Sequence, residues 1–225
     1  MGKRFLPFKS EKDLVDLFRA KQTCHRSLKN YSAVTEFECT HGIADVVLYE
    51  LKKNWSENSA IGEINPGWVY SLRAIPYRKE FTLDYFGSVS GLSARLARKA
   101  LKEFELAGFC EQKAKNGRWI KTRQPQVIAR NISSFEAKLK NWRKALEQAY
   151  RYKEFSDQSW VIMDECHISP ALERIQEFSE RNIGLASINT NGTFKVHSKA
   201  MKESPRSTLN NWTANAKLAA LLTSR

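Results

Sequence analysis

The sequence has no long hydrophobic run. Nowhere in its 225 residues is there a stretch of about 18 uncharged apolar residues, the length that a membrane-spanning helix requires. The segment from Met1 to Phe8 is basic and then briefly apolar, without the long apolar core and small-residue cleavage site of a secretory signal. Internal repeats and low-complexity segments are also missing. These absences predict a chain that neither spans a membrane nor is exported, and we expect it in the cytoplasm.

Cysteine is scarce and dispersed, with four residues and no C-x-x-C pair: Cys24, Cys39, Cys110 and Cys166. This spacing argues against a zinc or iron–sulfur site and favours four free thiols in a reducing compartment. The four histidines are equally scattered, and we interpret His41 as a surface residue.

Acidic residues are too few to balance the basic ones: 24 Asp and Glu face 37 Lys and Arg, which gives a net charge of +13. A surplus of this size attracts polyanions, of which nucleic acid is the commonest in a cytoplasm. Its distribution strengthens the inference, because Gln112 to Lys153 contains twelve basic residues against two acids. A hydrophobic content of 42% predicts a folded chain with one large or two small domains.

The two ends of the chain alternate helices and strands, which predicts an α/β fold. Near the N-terminus we expect a helix from Ser10 to Lys21 and a hairpin. After residue 125 we expect strands interleaved with helices. The predicted hairpin strands are 34–39 and 43–48; the later strands are 126–138, 160–163, 183–188 and 193–196, and the later helices are 141–154, 170–181 and 209–222.

The middle of the chain has another pattern. Short helices at 68–75 and 82–89 precede a clear helix at 92–107, whose apolar stripe includes Leu96 and which Gly108 ends. Strands at 109–113 and 118–123 then flank Asn116-Gly117, a tight-hairpin signal. Short helices, a basic helix and a basic hairpin follow each other in the order of a winged helix-turn-helix.

Three residues carry a candidate chemistry: Asp45, Glu136 and Lys138. Glu136 and Lys138 are two apart on a predicted strand, so their side chains share a face. Asp45 lies in an apolar strand, where an unpaired carboxylate is costly to bury. Two carboxylates can hold Mg²⁺ against a phosphate oxygen and an attacking water, and an ammonium group can offset the developing charge.

These residues resemble the motif of the PD-(D/E)XK, or restriction-endonuclease-like, nuclease superfamily. Glu136-Ala137-Lys138 resembles its E-x-K half, and Gly42-Ile43-Ala44-Asp45 resembles its earlier aspartate. Gln148-Ala149-Tyr150-Arg151-Tyr152 resembles the Q-x-x-x-Y signature of RecB-like nucleases, in which Gln148 and Tyr152 would contact the substrate backbone beside the metal. The resemblance covers about residues 10–50 and 126–190. It implies a mixed sheet flanked by helices and catalytic residues Asp45, Glu136, Lys138, Gln148 and Tyr152.

The match departs from the family pattern in two respects. Alanine replaces proline before Asp45, and 91 positions separate Asp45 from Glu136, too many for adjacent strands of a compact sheet. An inserted winged helix accounts for the long gap. We therefore expect a nuclease domain formed by residues 1–53 and 125–225, with a winged-helix DNA-binding domain at 54–124.

The resemblance implies Mg²⁺, with Mn²⁺ as a substitute, bound by Asp45, Glu136 and one further acid. Alternation does not choose between Glu36 and Glu38, and the acids of the first helix compete with them. We rank Glu36 first. The competitors on the helix are Glu11, Asp13 and Asp16.

The middle domain supplies the candidate DNA contacts. The groove residues are Ser93, Arg95, Arg98 and Lys99, and Arg118 and Lys121 would reach phosphates from the wing. Alternative interpretations stay open: a solvated basic face, a winged helix that contacts proteins, a structural ion pair between Asp45 and Lys138, and ordinary helix roles for Gln148 and Tyr152.

The sequence therefore predicts a Mg²⁺-dependent deoxyribonuclease, endonuclease or exonuclease, that acts on DNA. Double-strand cleavage would require a homodimer or two successive events. Two rivals remain: a winged-helix DNA-binding regulator on a nuclease-like scaffold, and a subunit of a larger recombination or defence complex that is inactive without its partners.

Overall fold

The computed structural model describes residues 6–22, 31–114 and 117–224. The predictions for residues 1–5, Cys24 and Asn116 lie outside this part. In chain order the helices are α1 (Glu11–Gln22), α2 (Val69–Ala74), α3 (Leu83–Ser90), α4 (Ala94–Leu106), α5 (Trp142–Tyr152), α6 (Ser169–Leu172), α7 (Ile175–Glu180) and α8 (Thr208–Thr223). The strands are β1 (Tyr31–Cys39), β2 (Gly42–Leu51), β3 (Glu80–Phe81), β4 (Cys110–Gln112), β5 (Trp119–Lys121), β6 (Ala129–Lys138), β7 (Gln158–Asp164), β8 (Gly184–Ile188) and β9 (Phe194–Ser198). Short 3₁₀ segments lie at Trp55–Glu63, Pro66–Trp68 and Glu165–His167.

Two compact units make up the chain. The first unit comprises Met1–Leu51 and Arg130–Thr208, and the second comprises Lys52–Ala129 and Leu209–Arg225. No helix among the described residues has the length and apolar character needed to cross a membrane.

A six-stranded mixed sheet forms the centre of the first unit, in the order β1-β2-β6-β7-β8-β9. The pairs β1–β2 and β8–β9 are antiparallel, whereas β6–β7 and β7–β8 are parallel. Helices cover both faces, and β6, β7 and β8 are accordingly buried on both sides, as parallel strands usually are. The expected α/β class, with a mixed sheet flanked by helices, is confirmed.

Strand alternation separates the two apolar clusters of this unit. Phe135, Ala137 and Ile162 pack with Leu14 and Phe18 of α1. On the other face, the buried strand residues pack under α5, α6 and α7; they are Val161, Met163 and Leu185. Adjacent residues of β6 and β7 therefore serve opposite faces, and Glu136 lies on the face opposite Phe135.

Helix α1 begins as the sequence predicts. The Ser10 hydroxyl accepts a hydrogen bond from the Asp13 amide at 3.1 Å, which is an N-cap. Acidic residues fill the first turn and basic residues the last, in accord with the helix dipole. The cap and the buried Leu14 and Phe18 fix Glu11 in the first turn.

The second unit contains α2, β3, α3, α4, β4 and β5 in that order. Its three strands form a small antiparallel sheet in the order β3-β5-β4. Thr82 and Ser93 cap α3 and α4 by accepting bonds from Tyr85 and Leu96 amides. The apolar face of α4 is buried through Ala97, Ala100, Leu101 and Phe104.

Helix α8 differs from expectation, because it belongs to the second unit and not with residues 125–208. The buried Asn215 accepts a hydrogen bond from the Ala129 amide at 2.9 Å. Gly62 allows the close approach of α8: a Cβ there would lie 2.4 Å from the Ala220 nitrogen. The apolar pattern of α8 predicted a helix but not the surface on which it packs.

Two further details differ from the prediction. The expected helix at 170–181 is two helices, α6 and α7, because Arg174 leaves the helical conformation at φ −119° and ψ 25°. Leu96, expected on the buried stripe of α4, is 41% exposed.

We expect Gly62→Ala to lower the free energy of unfolding by about 1–3 kcal/mol, because backbone must move to admit the methyl group. Gly87→Ala is the matched control, since its nearest neighbour would lie 3.4 Å away and alanine favours a helix. Urea unfolding followed by circular dichroism measures both. Equal stability of Gly62→Ala and the wild type would show that α8 does not pack there.

Candidate active site

Asp45 links two neighbouring strands of the first unit, β2 and β6. It lies on β2, and its Oδ2 accepts a hydrogen bond from the Ala137 amide on β6 at 2.7 Å. Ala137 stands between Glu136 and Lys138, so this bond fixes Asp45 beside both. The three residues separated by the long insertion thus meet on neighbouring strands.

Glu136 is almost fully buried, with 1% of its side chain exposed. Its Oε1 accepts from the Lys138 ammonium and its Oε2 from the Tyr152 hydroxyl, each at 2.7 Å. The short Glu136–Lys138 contact agrees with the predicted shared face of the strand. Charge-assisted bonds to both oxygens offset the desolvation of this carboxylate.

Lys138 connects β6 to the first helix. Its ammonium donates to Glu136, to the Ala137 carbonyl at 3.0 Å and to Glu11 at 3.2 Å. Burial lowers the pKa of Lys138, but the hydrogen bond and charge of Glu136, with Asp45 and Glu11, outweigh it and leave the pKa raised. Lys138 is therefore held as a cation, suited to stabilise negative charge.

Helix α5 brings Tyr152 and Gln148 to the same region. The Tyr152 hydroxyl lies 2.7 Å from Glu136 and 2.6 Å from the Ile43 carbonyl. Gln148 is one turn earlier on the same face. Its buried Oε1 has no hydrogen-bond partner among the residues described. A buried amide oxygen without a partner is costly, and a ligand that donates to it would remove that cost.

A cavity of about 330 Å³ opens beside Asp45. Four of its lining residues are acidic, and Lys12 adds one basic group. The acids are Glu11, Asp16, Glu36 and Asp45, and Val15 and Thr35 complete the lining. Alternation alone did not choose between Glu36 and Glu38; the cavity contains Glu36. We call this space the acidic cavity.

Glu36 has an unusual backbone. Its φ is 51°, although it lies within β1. The register pairs Thr35 with Val46 and Phe37 with Ala44, which places Glu36 opposite Asp45. A left-handed conformation at a non-glycine residue in a strand is strained, and such strain is concentrated at functional sites.

Negative charge dominates around Asp45. Burial raises its pKa, Glu11 and Glu36 add to the increase, and the Ala137 amide and Lys138 oppose it. Burial and the charge of Asp45 likewise raise the pKa of Glu136, against the bonds from Lys138 and Tyr152. Carboxylates that resist ionisation together are stabilised by an added cation.

The donor atoms suit a hard divalent cation, since Mg²⁺ prefers carboxylate oxygens. Within residues 6–22, 31–114 and 117–224, however, no group of three or more His, Cys, Asp or Glu side chains is arranged to hold a metal ion. Both oxygens of Glu136 accept bonds from Lys138 and Tyr152. The carboxylates that line the acidic cavity are those of Asp45, Glu36, Glu11 and Asp16.

The predicted DNA contacts lie in the second unit. Arg95, Arg98 and Lys99 are exposed on α4, and the Lys99 ammonium lies 5.6 Å from the Trp68 ring centre. Ser93 is the N-cap of α4. Arg118 is 54% exposed and lies 3.8 Å from Glu80. These five residues belong to the second unit, whereas the carboxylates belong to the first.

Lys121 is buried, with only 1% of its surface exposed. The prediction from the sequence that it contacts phosphate from the wing is therefore wrong. Its ammonium donates to the Leu72 and Arg73 carbonyls, near the end of α2, at 3.3 and 3.4 Å. Burial lowers its pKa. Lys121 satisfies helix-terminal carbonyls and does not reach the surface.

The chain was compared with protein-family models, curated proteins and solved structures, and none of the three comparisons finds a match. A function for this chain is therefore inferred from its residues and their geometry.

The raised pKa values give a pH dependence of stability. A carboxyl whose folded pKa exceeds its unfolded value stabilises the fold fully below the unfolded pKa, and this contribution is lost as pH rises through the folded pKa. As pH rises from the ordinary carboxyl range through the raised pKa values of Asp45 and Glu136, we expect these two groups to lower the unfolding free energy of the metal-free protein. Asp157, whose pKa is also raised by burial, acts in the same direction, whereas Glu105 and Glu203, whose pKa values are lowered, act in the opposite one. Glu136→Gln removes one destabilising contribution and should make the slope of stability against pH less negative.

Urea titrations in EDTA at a series of pH values measure this effect. An unchanged slope in Glu136→Gln would contradict the assigned burial of this carboxyl.

Proposed function

We propose that the protein is a Mg²⁺-dependent DNA nuclease of the restriction-endonuclease-like type, with a winged-helix unit that binds DNA. One observation carries the proposal: Asp45, Glu136 and Lys138, on two strands 91 positions apart in sequence, meet beside an acidic cavity. A buried and a half-buried carboxylate beside a held ammonium are the kinds of group that phosphodiester hydrolysis uses.

Each residue has a role that follows from its contacts. Asp45 and Glu36 would hold the metal ion, with Glu11 or Glu136 as further ligands, and the ion would supply Lewis-acid activation of the phosphate and the water. Lys138, kept protonated by Glu136, would offset negative charge on a phosphate oxygen, and would bind that oxygen directly if the phosphate replaced Glu11 at its ammonium. Tyr152 fixes Glu136. Gln148 would donate to the substrate backbone through its amide nitrogen, or accept a bond at its unpartnered Oε1.

The second unit supports the DNA part of the proposal. Its order of helix, strand, two helices and hairpin, with β3 paired to β5, is the order of a winged helix. The third helix of that order, α4, presents Arg95, Arg98 and Lys99 on its exposed face. In winged helices this helix enters the major groove.

Cleavage of supercoiled plasmid and labelled linear DNA tests the activity in Mg²⁺, Mn²⁺ or EDTA. We expect metal-dependent cutting that falls about 100-fold or more in Asp45→Ala and Lys138→Ala, as when a group that stabilises transition-state charge is removed. Glu36→Gln should also reduce cutting. Glu38→Gln, two residues away on the same strand, is the matched control and should cut like the wild type.

Equal activity of Asp45→Ala and the wild type would exclude this site. The product pattern separates nicking, double-strand cutting and digestion from ends. Activity that grows with the square of the protein concentration would favour a homodimer for double-strand cleavage.

A second candidate is a DNA-binding regulator on a nuclease-like scaffold. It is favoured by the absence, among the described residues, of a three-residue metal group. A regulator should bind DNA in EDTA, show no cutting with either metal and keep its binding in Lys138→Ala. A subunit of a larger complex would instead gain cutting when its partners are added.

Arg95→Ala/Arg98→Ala should weaken binding to a duplex and reduce the slope of log K against log salt by about one for each phosphate that the protein no longer neutralises. Lys53→Ala/Lys79→Ala removes the same charge from exposed positions of the same unit and is the control. Fluorescence anisotropy over a salt series measures both. Equal weakening by the two pairs would mean that α4 has no special part in binding.

A further inference from the structure

A second cavity of the first unit has a different chemistry. It has a volume of about 160 Å³ and is lined by Tyr31, Leu48, Ser133, Phe135, Gln158, Trp160 and Phe194. Four of the seven are aromatic, and none is charged. We call it the aromatic cleft.

The rings of the cleft are held in place. Phe135 and Trp160 are stacked, with planes 16° apart and centres 6.2 Å apart. Gly184, opposite Trp160 in the β7–β8 pair, makes room for the indole: a Cβ at Gly184 would lie 2.0 Å from the Trp160 ring. From α1, Phe18 contacts both Phe135 and Phe194. The centre of its ring lies 5.1 Å from that of Phe135 and 5.7 Å from that of Phe194.

The rings pack against the apolar cluster beneath α1, but they do not fill the space between them. Phe135 is buried, but Tyr31, Trp160 and Phe194 remain partly exposed around the open volume. Partly exposed aromatic rings that converge on one space are typical of a ligand site, because each ring offers apolar surface that a flat ligand would cover.

Polar groups line the same space. The Tyr31 hydroxyl accepts a bond from the Asn131 amide at 2.8 Å. Among the described residues no acceptor takes its own hydrogen, so it can donate to a ligand. The Ser133 hydroxyl lies 3.4 Å from Gln158 Oε1. A ligand that fits is therefore planar and aromatic, with hydrogen-bonding groups at its edge.

Size restricts the ligand further. A cavity of about 150 Å³ admits a benzene ring. The 160 Å³ of the aromatic cleft therefore gives room for one base. A nucleobase has the flat face and polar edge that the lining requires, and stacking on aromatic side chains is the common way to bind unpaired bases.

The cleft also lies within reach of the acidic cavity. Thr35 lines the acidic cavity and Tyr31 lines the cleft, four residues apart on β1, which is about 13 Å along the strand. Helix α1 contributes to both sides, since Glu11 lines the acidic cavity and Phe18 packs on the rings of the cleft.

We propose that the aromatic cleft binds one unpaired nucleobase of a single-stranded or locally melted nucleic acid. The base stacks on the rings of Trp160 and Phe194, and its edge accepts a hydrogen bond from the Tyr31 hydroxyl. This proposal rests on the proposed nuclease function, to which it adds a preference for unpaired substrate.

Strand binding in EDTA tests it without cleavage. The probes are a short oligothymidine and the same strand with abasic sites in place of the bases. We expect the wild type to prefer the base-bearing strand about tenfold, the scale of one base stacked on an aromatic side chain. Trp160→Leu should lose the preference, and Trp160→Phe should retain most of it.

A second measurement uses the wild type alone, so it does not depend on the folding of a variant. A strand that carries 2-aminopurine should lose fluorescence when bound, because stacking on aromatic rings quenches this base. Equal affinity for base-bearing and abasic strands, or unquenched 2-aminopurine in the complex, would overturn the proposal.

The outcomes separate the two proposals. Metal-dependent cutting without base-dependent binding would leave the nuclease in place and reject the base site. Base-dependent binding without cutting in either metal would keep the base site and reject the nuclease.

Discussion

The buried carboxylate of Glu136 is the group on which the site depends. Its two oxygens are held by Lys138 on its own strand and by Tyr152 on α5. Tyr152 in turn reaches the Ile43 carbonyl on β2, and Lys138 reaches Glu11 on α1. One carboxylate thus ties two strands and two helices together. Loss of either partner would leave a buried charge without compensation, which costs more than the bond itself contributes.

Charge explains why this network lies at the edge of a cavity. Lys138 balances Glu136, but the acidic cavity beside it holds four carboxylates and only one lining lysine, Lys12. The chain as a whole is strongly basic, so an acidic cavity is a local exception to its composition. Like charges in one space disfavour the fold on their own, and the cation of the proposed function would offset this repulsion.

Much of the fold could be predicted from the sequence. Periodicity and capping residues located α1, α4, α5 and the β1–β2 hairpin, because those signals act within one element. The placement of α8 could not be predicted, since it depends on a close approach to Gly62 far away in sequence. The prediction that Lys121 contacts phosphate was wrong for a related reason. Alternation along a strand predicts the face on which a side chain lies, but it does not predict which helix end packs against that face.

The candidate site also has residues that the sequence could identify and residues that it could not. Asp45, Glu136, Lys138 and Tyr152 could be chosen because a motif fixes residue types at set spacings, and the structure places them within hydrogen-bond contacts of one another or of Ala137. The sequence could not show which acid lies beside Asp45, since Glu36 and Glu38 are two residues apart and alternation assigns both to the same face of the strand. The turn of the Glu36 backbone that distinguishes them is a tertiary effect.

That turn bears on function. Three non-glycine residues in the described part of the chain have positive φ: Glu36, Arg78 and Asn182. Asparagine tolerates this conformation, and Arg78 lies in a turn, whereas Glu36 lies inside a strand. Strain of this kind persists only where the surroundings enforce it. The strained residue faces Asp45, and Gln148, with its unpartnered oxygen, is one turn from Tyr152. Neither departure stabilises the fold, and the proposed substrate and cation sites would give each of them a role: Glu36 as a ligand and Gln148 as a substrate contact.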